Sequence, residues 1–244
     1  MQTWSRLGAL IPPVNLTVER EFPRWVPSGV SVHVQRMYRE RIVLSPTTLG
    51  DMLDHLDEDI RRLRFAQPHF IMYACTSGSS LETGGFDTRI ATRIEQAAGV
   101  PASTTATAVV EGLRHFGAQK IAVVTPYPQD VNDKERAFFI DKGFVPVSWE
   151  SFFESDSLKI PMIPQAETYK LAKAADRDEA EALFISCTNL STADIIDTLE
   201  QELGKPVITS NQASVWLSLR RMGIDTATND AGQLLREPYG SLQT

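Results

Sequence analysis

The chain carries only two cysteines in 244 residues, too few for a disulfide framework. No apolar run approaches the roughly 18 residues that a membrane span needs. The segment with Trp4, Arg6 and the Pro12-Pro13 pair lacks the apolar stretch of a signal peptide. A cytoplasmic protein is therefore expected, with both cysteines as thiols. Charge of one sign is also scarce. The formal net charge is −7 and is spread along the chain, without the basic stripe that a phosphate backbone requires, so nucleic acid is not an expected partner. The four histidines, His33, His55, His69 and His115, form no paired metal-binding pattern, and no metal is expected. Gly78, Gly84 and Gly85 make neither a dinucleotide fingerprint nor a P-loop with its lysine, which excludes those nucleotide sites.

What is present is apolar composition, 42%, enough for one large core or two of about 100 residues each. Two stretches stand out. Phe70-Ile71-Met72-Tyr73-Ala74-Cys75 runs apolar and then gives way to Thr76-Ser77-Gly78-Ser79-Ser80. The same pattern returns at Ala182-Leu183-Phe184-Ile185-Ser186-Cys187, followed by Thr188-Asn189-Leu190-Ser191-Thr192. Each reads as a buried parallel strand emptying into a polar loop, and ligands of open parallel sheets bind beyond such strand ends. Ser79 with Glu82, and Ser191 with Asp194, are Ser-x-x-acid patterns that predict a helix start after each cysteine. A thiol at a helix N-terminus is favoured as thiolate, the form that acts as nucleophile or base. Either cysteine alone would read as a small buried hydrophobe. Two at matched strand ends mark a candidate active site.

Taken in order, strands are expected at 7–11, 30–34, 70–75, 100–102, 120–124, 144–149, 182–187 and 207–208. Val30, Val32 and Val34 alternate with polar residues, as an edge strand does. Leu49, Leu53, Leu56, Ile60 and Leu63 predict one long crossover helix over 48–65. The halves repeat each other. Ile94-Glu95-Gln96-Ala97-Ala98-Gly99-Val100-Pro101 matches Leu199-Glu200-Gln201-Glu202-Leu203-Gly204-Lys205-Pro206, and Gly112 to Gly117 matches Ser218 to Gly223. Val14-Asn15 is echoed by Val131-Asn132. The expectation is an α/β fold of two pseudo-symmetric β/α domains with mainly parallel sheets. They span 1–117 and 118–223, with the active site in the cleft between them and the tail 224–244 packed back on the first.

These residues resemble the aspartate/glutamate racemase superfamily, and within it the branch of maleate cis-trans isomerases and arylmalonate decarboxylases. The resemblance rests on Ile11-Pro12-Pro13-x-Asn15-x-Thr17-x-Glu19-x-Glu21, Tyr73-Ala74-Cys75-Thr76-Ser77, Thr125-Pro126-Tyr127 and Ser186-Cys187, and runs from about residue 6 to about residue 223. It implies a cofactor-independent enzyme that holds a small carboxylate between two cysteines. Cys75 aligns with the isomerases' nucleophile and Asn15 with their carboxylate-binding asparagine. Thr76, Ser77 and Tyr127 align with the hydroxyls that hold an enediolate in the decarboxylases, whose proton-donating cysteine matches Cys187. The decarboxylases carry glycine where this chain has Cys75, and the isomerases an asparagine about where Ser157 stands.

Beside the resemblance, each residue keeps a plainer reading. Thr76, Ser77, Thr188 and Asn189 are turn and capping residues or ligand donors. Asn15 can equally be an N-cap, and Tyr127 a cover for the sheet end. The function expected is isomerisation of a small mono- or dicarboxylate by two cysteines, maleate isomerase-like or racemase-like. Decarboxylation of a substituted malonate, or carboxylate binding without turnover, are the alternatives. A homo-oligomer is compatible with either.

Overall fold

Strands with no polar positions need cover on both faces, and the chain supplies it by returning to each strand through a helix. The computed structural model describes residues 4–225 and 231–236. The first domain contains β1 (Ser5–Ile11), α1 (Val18–Trp25), β2 (Val30–Arg36), α2 (Pro46–Gly50), α3 (Leu56–Leu63), β3 (Phe70–Tyr73), α4 (Thr76–Ser79), α5 (Phe86–Ala98), β4 (Ala102–Thr104) and α6 (Thr105–His115). The second contains β5 (Lys120–Thr125), α7 (Gln129–Asp141), β6 (Val145–Ser151), α8 (Gln165–Ala175), β7 (Ala182–Ile185), α9 (Ile196–Leu203), β8 (Val207–Thr209) and α10 (Ser210–Arg221); α11 (Gly232–Arg236) follows.

Both sheets are parallel throughout. Their orders, β2-β1-β3-β4 and β6-β5-β7-β8, are the same order written twice. β3 and β7 therefore occupy equivalent inner positions, and every residue of both is buried. The α/β class, the two domains and the edge position of β2 are as the sequence indicates. The repeat has a backbone cause at two points. Gly99 and Gly204 take φ +73° and +66° to end α5 and α9, and Gly117 and Gly223 take +67° and +68° just after α6 and α10. Only glycine enters that left-handed region freely.

Other expectations need correction. The echo between Val14-Asn15 and Val131-Asn132 is not structural: Asn15 precedes α1, whereas Asn132 lies within α7 and bonds to Thr125, Trp149 and Tyr127. The helix expected over 48–65 is broken into α2, a single 3-10 turn at Asp51–Leu53, and α3. Thr47, Thr48 and Gly50 are poor helix formers. The Thr48 hydroxyl also bonds the Val43 carbonyl at 2.7 Å, drawing the turn back toward the preceding loop. The tail was expected on the first domain, yet α11 lies on the second. The Gly232 amide bonds Asp197 at 3.1 Å and Arg236 pairs with Glu200 at 2.8 Å, while Leu234 faces Gly112 in α6. Residues 226–230 and 237–244 lie outside the described residues.

The domains meet through α6 and α10, where the Thr105 and Ser214 hydroxyls bond at 2.9 Å. They meet again where the segment after β2 pairs with the segment after β6. The Leu44 amide bonds the Ser155 carbonyl at 2.8 Å, the Ser157 amide bonds the Ile42 carbonyl at 3.3 Å, and Val43 bridges Asp156. Among the described residues no helix is long and apolar enough to cross a membrane.

Candidate active site

Each thiol stands where an inner strand ends. Cys75 leaves β3 in extended conformation and caps α4, a single turn. The Gly78 amide and the Ser77 hydroxyl lie beside its sulfur and pull its pKa down. Cys187 leaves β7 with φ +95°, a region that costs a residue with a side chain on the order of 1–3 kcal/mol and that clusters at functional sites. Its sulfur accepts from the Asn189 amide at 3.4 Å, and the nearby Tyr127 hydroxyl pulls its pKa down. The helix starts expected at Ser79 and Ser191, with Glu82 and Asp194 completing the caps, do not form. The next helices begin at Phe86 and Ile196, because the Ser79 hydroxyl donates to Cys75 O at 2.7 Å and Ser191 bonds Glu21.

Both thiols line one small pocket of about 30 Å³ between the domains. Thr76, Ser77, Tyr127, Thr188 and Asn189 share its wall with Arg39 and Ser157, and Pro12, Val14, Leu44, Leu49 and Ile160 supply its apolar surface. Asn15 stands outside this lining. Its Oδ1 accepts from the Thr17 and Val18 amides, both at 3.0 Å, and its Nδ2 donates to the Thr188 hydroxyl at 3.1 Å. Asn15 lies two residues ahead of Thr17, the N-cap of α1, so its side chain ties down the entry to that helix and reaches across the cleft. Thr188 passes the contact on by donating to Ala74 O at 3.0 Å. Asn189 is tied to the opposite domain too, accepting from the Leu16 amide at 2.8 Å and donating to Val14 O at 3.2 Å.

Burial sets the electrostatics. It pushes the Cys187 thiol up to about 12, against the lowering pull of the Asn189 amide and Tyr127. Burial also raises Cys75, here opposed by the Gly78 amide, the Arg39 guanidinium and the Ser77 hydroxyl. Burial thus opposes the thiolate form that a helix N-terminus was expected to favour at each cysteine, since a buried anion without full solvation is disfavoured. The asymmetry between them remains, with positive charge beside Cys75.

Four residues went unnoticed in the sequence. Arg39 is buried at 7% exposure and donates to Ser157 Oγ at 2.9 Å and to Ile42 O at 3.3 Å. It sits in an Arg-Glu-Arg run that reads as solvated. Ser210, first residue of α10, accepts from both cysteine loops, from the Thr76 hydroxyl at 2.8 Å and the Cys187 amide at 3.0 Å. Glu135 is fully buried behind Tyr127: the Ser186 hydroxyl donates to its Oε1 at 2.7 Å and lies 3.3 Å from Tyr127 Oη. Its signal was available, because Val131, Glu135 and Phe138 share the buried face of α7. Glu21, quoted only within the resemblance, accepts from the Thr192 and Ala193 amides at 2.8 and 3.1 Å and so ties α1 to the second cysteine loop. No group of three or more metal-ligating side chains occurs among the described residues.

The arrangement is one in which a sulfur nucleophile and a second proton-carrying sulfur face a small anion among hydroxyl donors. A family model described as arylmalonate decarboxylase matches residues 7–235. A maleate isomerase of Nocardia farcinica is 30% identical over 242 residues, covering 95% of this chain and 96% of that protein. An arylmalonate decarboxylase of Bordetella bronchiseptica is 27% identical over 244 residues, covering 97% and 95%. A solved structure of a mutant Nocardia farcinica maleate cis-trans isomerase, with a covalently bound succinylcysteine intermediate, superposes with a TM-score of 0.91 at 28% identity, covering 95% of this chain and 98% of that one.

Proposed function

The chain belongs to the arylmalonate decarboxylase family, and from that premise we propose that it is a cysteine-dependent cis-trans isomerase of a small unsaturated dicarboxylate such as maleate. The observation that carries this reading is the presence of both thiols, from equivalent strand ends, in one pocket. A thiol at the position of Cys75 has a use in isomerisation that simple decarboxylation does not require.

In the proposed reaction Cys75 first gives up its proton to solvent, the thiolate facing the Arg39 guanidinium, and then attacks one alkene carbon, forming a C–S bond. The alkene's π pair moves onto the neighbouring carbon and its carboxylate as an enediolate. The Cys187 thiol protonates that carbon, giving a succinyl thioether whose central C–C bond is now single and rotates. Cys187 then takes back a proton, the C–S bond breaks, and the trans alkene leaves with Cys75 restored as thiolate. A covalent adduct of this kind is what the Nocardia farcinica structure holds. The added charge of the enediolate would fall to Thr76, Ser77 and Tyr127, and losing one such donor costs about 2.7–4 kcal/mol of barrier.

Proton NMR of the purified protein with maleate in D₂O tests the reading. Fumarate should form with the native chain and not with Cys75→Ala or Cys187→Ala. The family also contains a decarboxylase, and Cys187 with the three hydroxyls would serve one. Absence of fumarate, together with carbon dioxide release from phenylmalonate that survives Cys75→Gly, would replace isomerisation by decarboxylation.

A further inference from the structure

We propose that Arg39, with Ser157, forms the subsite that binds the second, distal carboxylate of the substrate and so selects a dianion over a monoanion. The inference rests on the carboxylate-binding reading of the pocket and adds a residue and a charge requirement to it. Arg39 lines the pocket that holds both thiols and is 7% exposed. Its hydrogen-bond partners are neutral oxygens, Ser157 Oγ at 2.9 Å and Ile42 O at 3.3 Å, both taken by Nη2. Its Nε is buried without a partner, and Asp51 acts on it only through space, without a hydrogen bond or ion pair among the described residues.

A guanidinium is charged at any physiological pH and presents five donors in a planar fork that matches a carboxylate. Burying one without a counter-ion is unfavourable, and buried charges are normally paired. An incoming carboxylate supplies the missing pair. The position is held from both domains. The Met37 amide bonds Ile11 O at 2.7 Å, the Tyr38 amide bonds Asp59 at 3.1 Å, and the loop beyond Arg39 is paired to Ser155 and Ser157 of the second domain. The thiols come from β3 and β7, so the Arg39-Ser157 pair belongs to a separate wall made by the loops after β2 and β6. A substrate with one carboxylate among the hydroxyls near the thiols would present its other carboxylate to that wall.

Calorimetric binding of succinate, and of succinamate in which a neutral amide replaces one carboxylate, tests the subsite without turnover. The native protein should bind succinate roughly 10- to 150-fold more tightly, the range for a hydrogen bond to a charged group. Arg39→Met should abolish that preference while leaving succinamate affinity within about twofold, which also shows that the variant is folded. Arg39→Lys should retain part of the preference. If Arg39→Met binds neither ligand, the lysine variant decides: equal affinities for the two ligands overturn the proposal. Equal affinities in the native protein, no succinate binding at all, or a preference that survives Arg39→Met would each overturn it too. A preference that survives while the pH profile of Cys75 alkylation moves would assign Arg39 to the thiolate alone. Fumarate formation is scored separately: a dianion preference that depends on Arg39 without isomerisation removes the isomerase reading and keeps the subsite. Isomerisation with an unchanged preference does the reverse.

Discussion

A Cβ placed on Gly78 would lie 2.9 Å from the Cys75 sulfur and 2.9 Å from the Tyr73 hydroxyl. The absence of a side chain at Gly78 lets its amide come close enough to that sulfur to oppose the rise in its pKa. In Gly78→Ala the sulfur has to rotate or retreat. Misplacement of a reacting atom by about 1 Å costs on the order of 10²-fold in rate, so fumarate formation should fall by about that factor. The far-UV spectrum should be retained, because the nearest atoms are side-chain ends and not backbone. An unchanged rate would mean that Cys75 does not react from this position.

The two thiols should differ in reactivity. Burial raises both, Cys187 to about 12, while the Gly78 amide, Arg39 and Ser77 oppose the rise at Cys75. Iodoacetamide alkylates the thiolate, whose fraction grows about tenfold per pH unit below the pKa. Peptide mapping after limited alkylation should find Cys75 labelled first, at a rate that climbs with pH, and succinate should slow it. Faster labelling of Cys187 would remove Cys75 from the nucleophile's role.

The parts of this site that were legible are those written in contiguous sequence. An apolar run ending on a cysteine and a hydroxyl cluster states strand and strand end within eleven residues, so the placement of Cys75, Cys187, Thr76, Ser77 and Thr188 in one pocket is legible locally, with the repeat supplying their convergence. Arg39 could not be read so. Its burial follows from the pairing of Ile42 and Leu44 with Ser157 and Ser155, a contact between loops more than 110 residues apart that no periodicity encodes. The break in the helix at 48–65 was hidden for a related reason. Leu49, Leu53 and Leu56 have helical spacing, but the Thr48 hydroxyl and Gly50 favour a turn, and tertiary packing of Leu49 and Met52 over the Cys75 loop decides between them. The Asn15 side chain serves the backbone at Thr17 and Val18, a use that sequence does not separate from ligand binding because both employ the same atoms.

Glu135 offers a test that is independent of substrate. The carboxyl lies buried behind Tyr127 with one oxygen bonded to Ser186 and the other unpartnered, and burial raises its pKa from 4.5 to about 8. Between those two values the folded chain holds a proton that the unfolded chain has released, so fewer protons are bound on unfolding and stability falls as pH rises through the window. Below pH 4.5 both states are protonated, and above about 8 both are ionised, so the loss is complete there. Glutamine keeps an oxygen for Ser186 and has no proton to lose. Thermal melts from pH 5 to pH 9 should therefore show a decline in the native protein that Glu135→Gln flattens. At pH 8 the variant should be the more stable by a few kcal/mol, given about 1.4 kcal/mol for each unit of raised pKa. Parallel profiles for the two proteins would mean that Glu135 titrates normally, and hence that water reaches the space behind Tyr127.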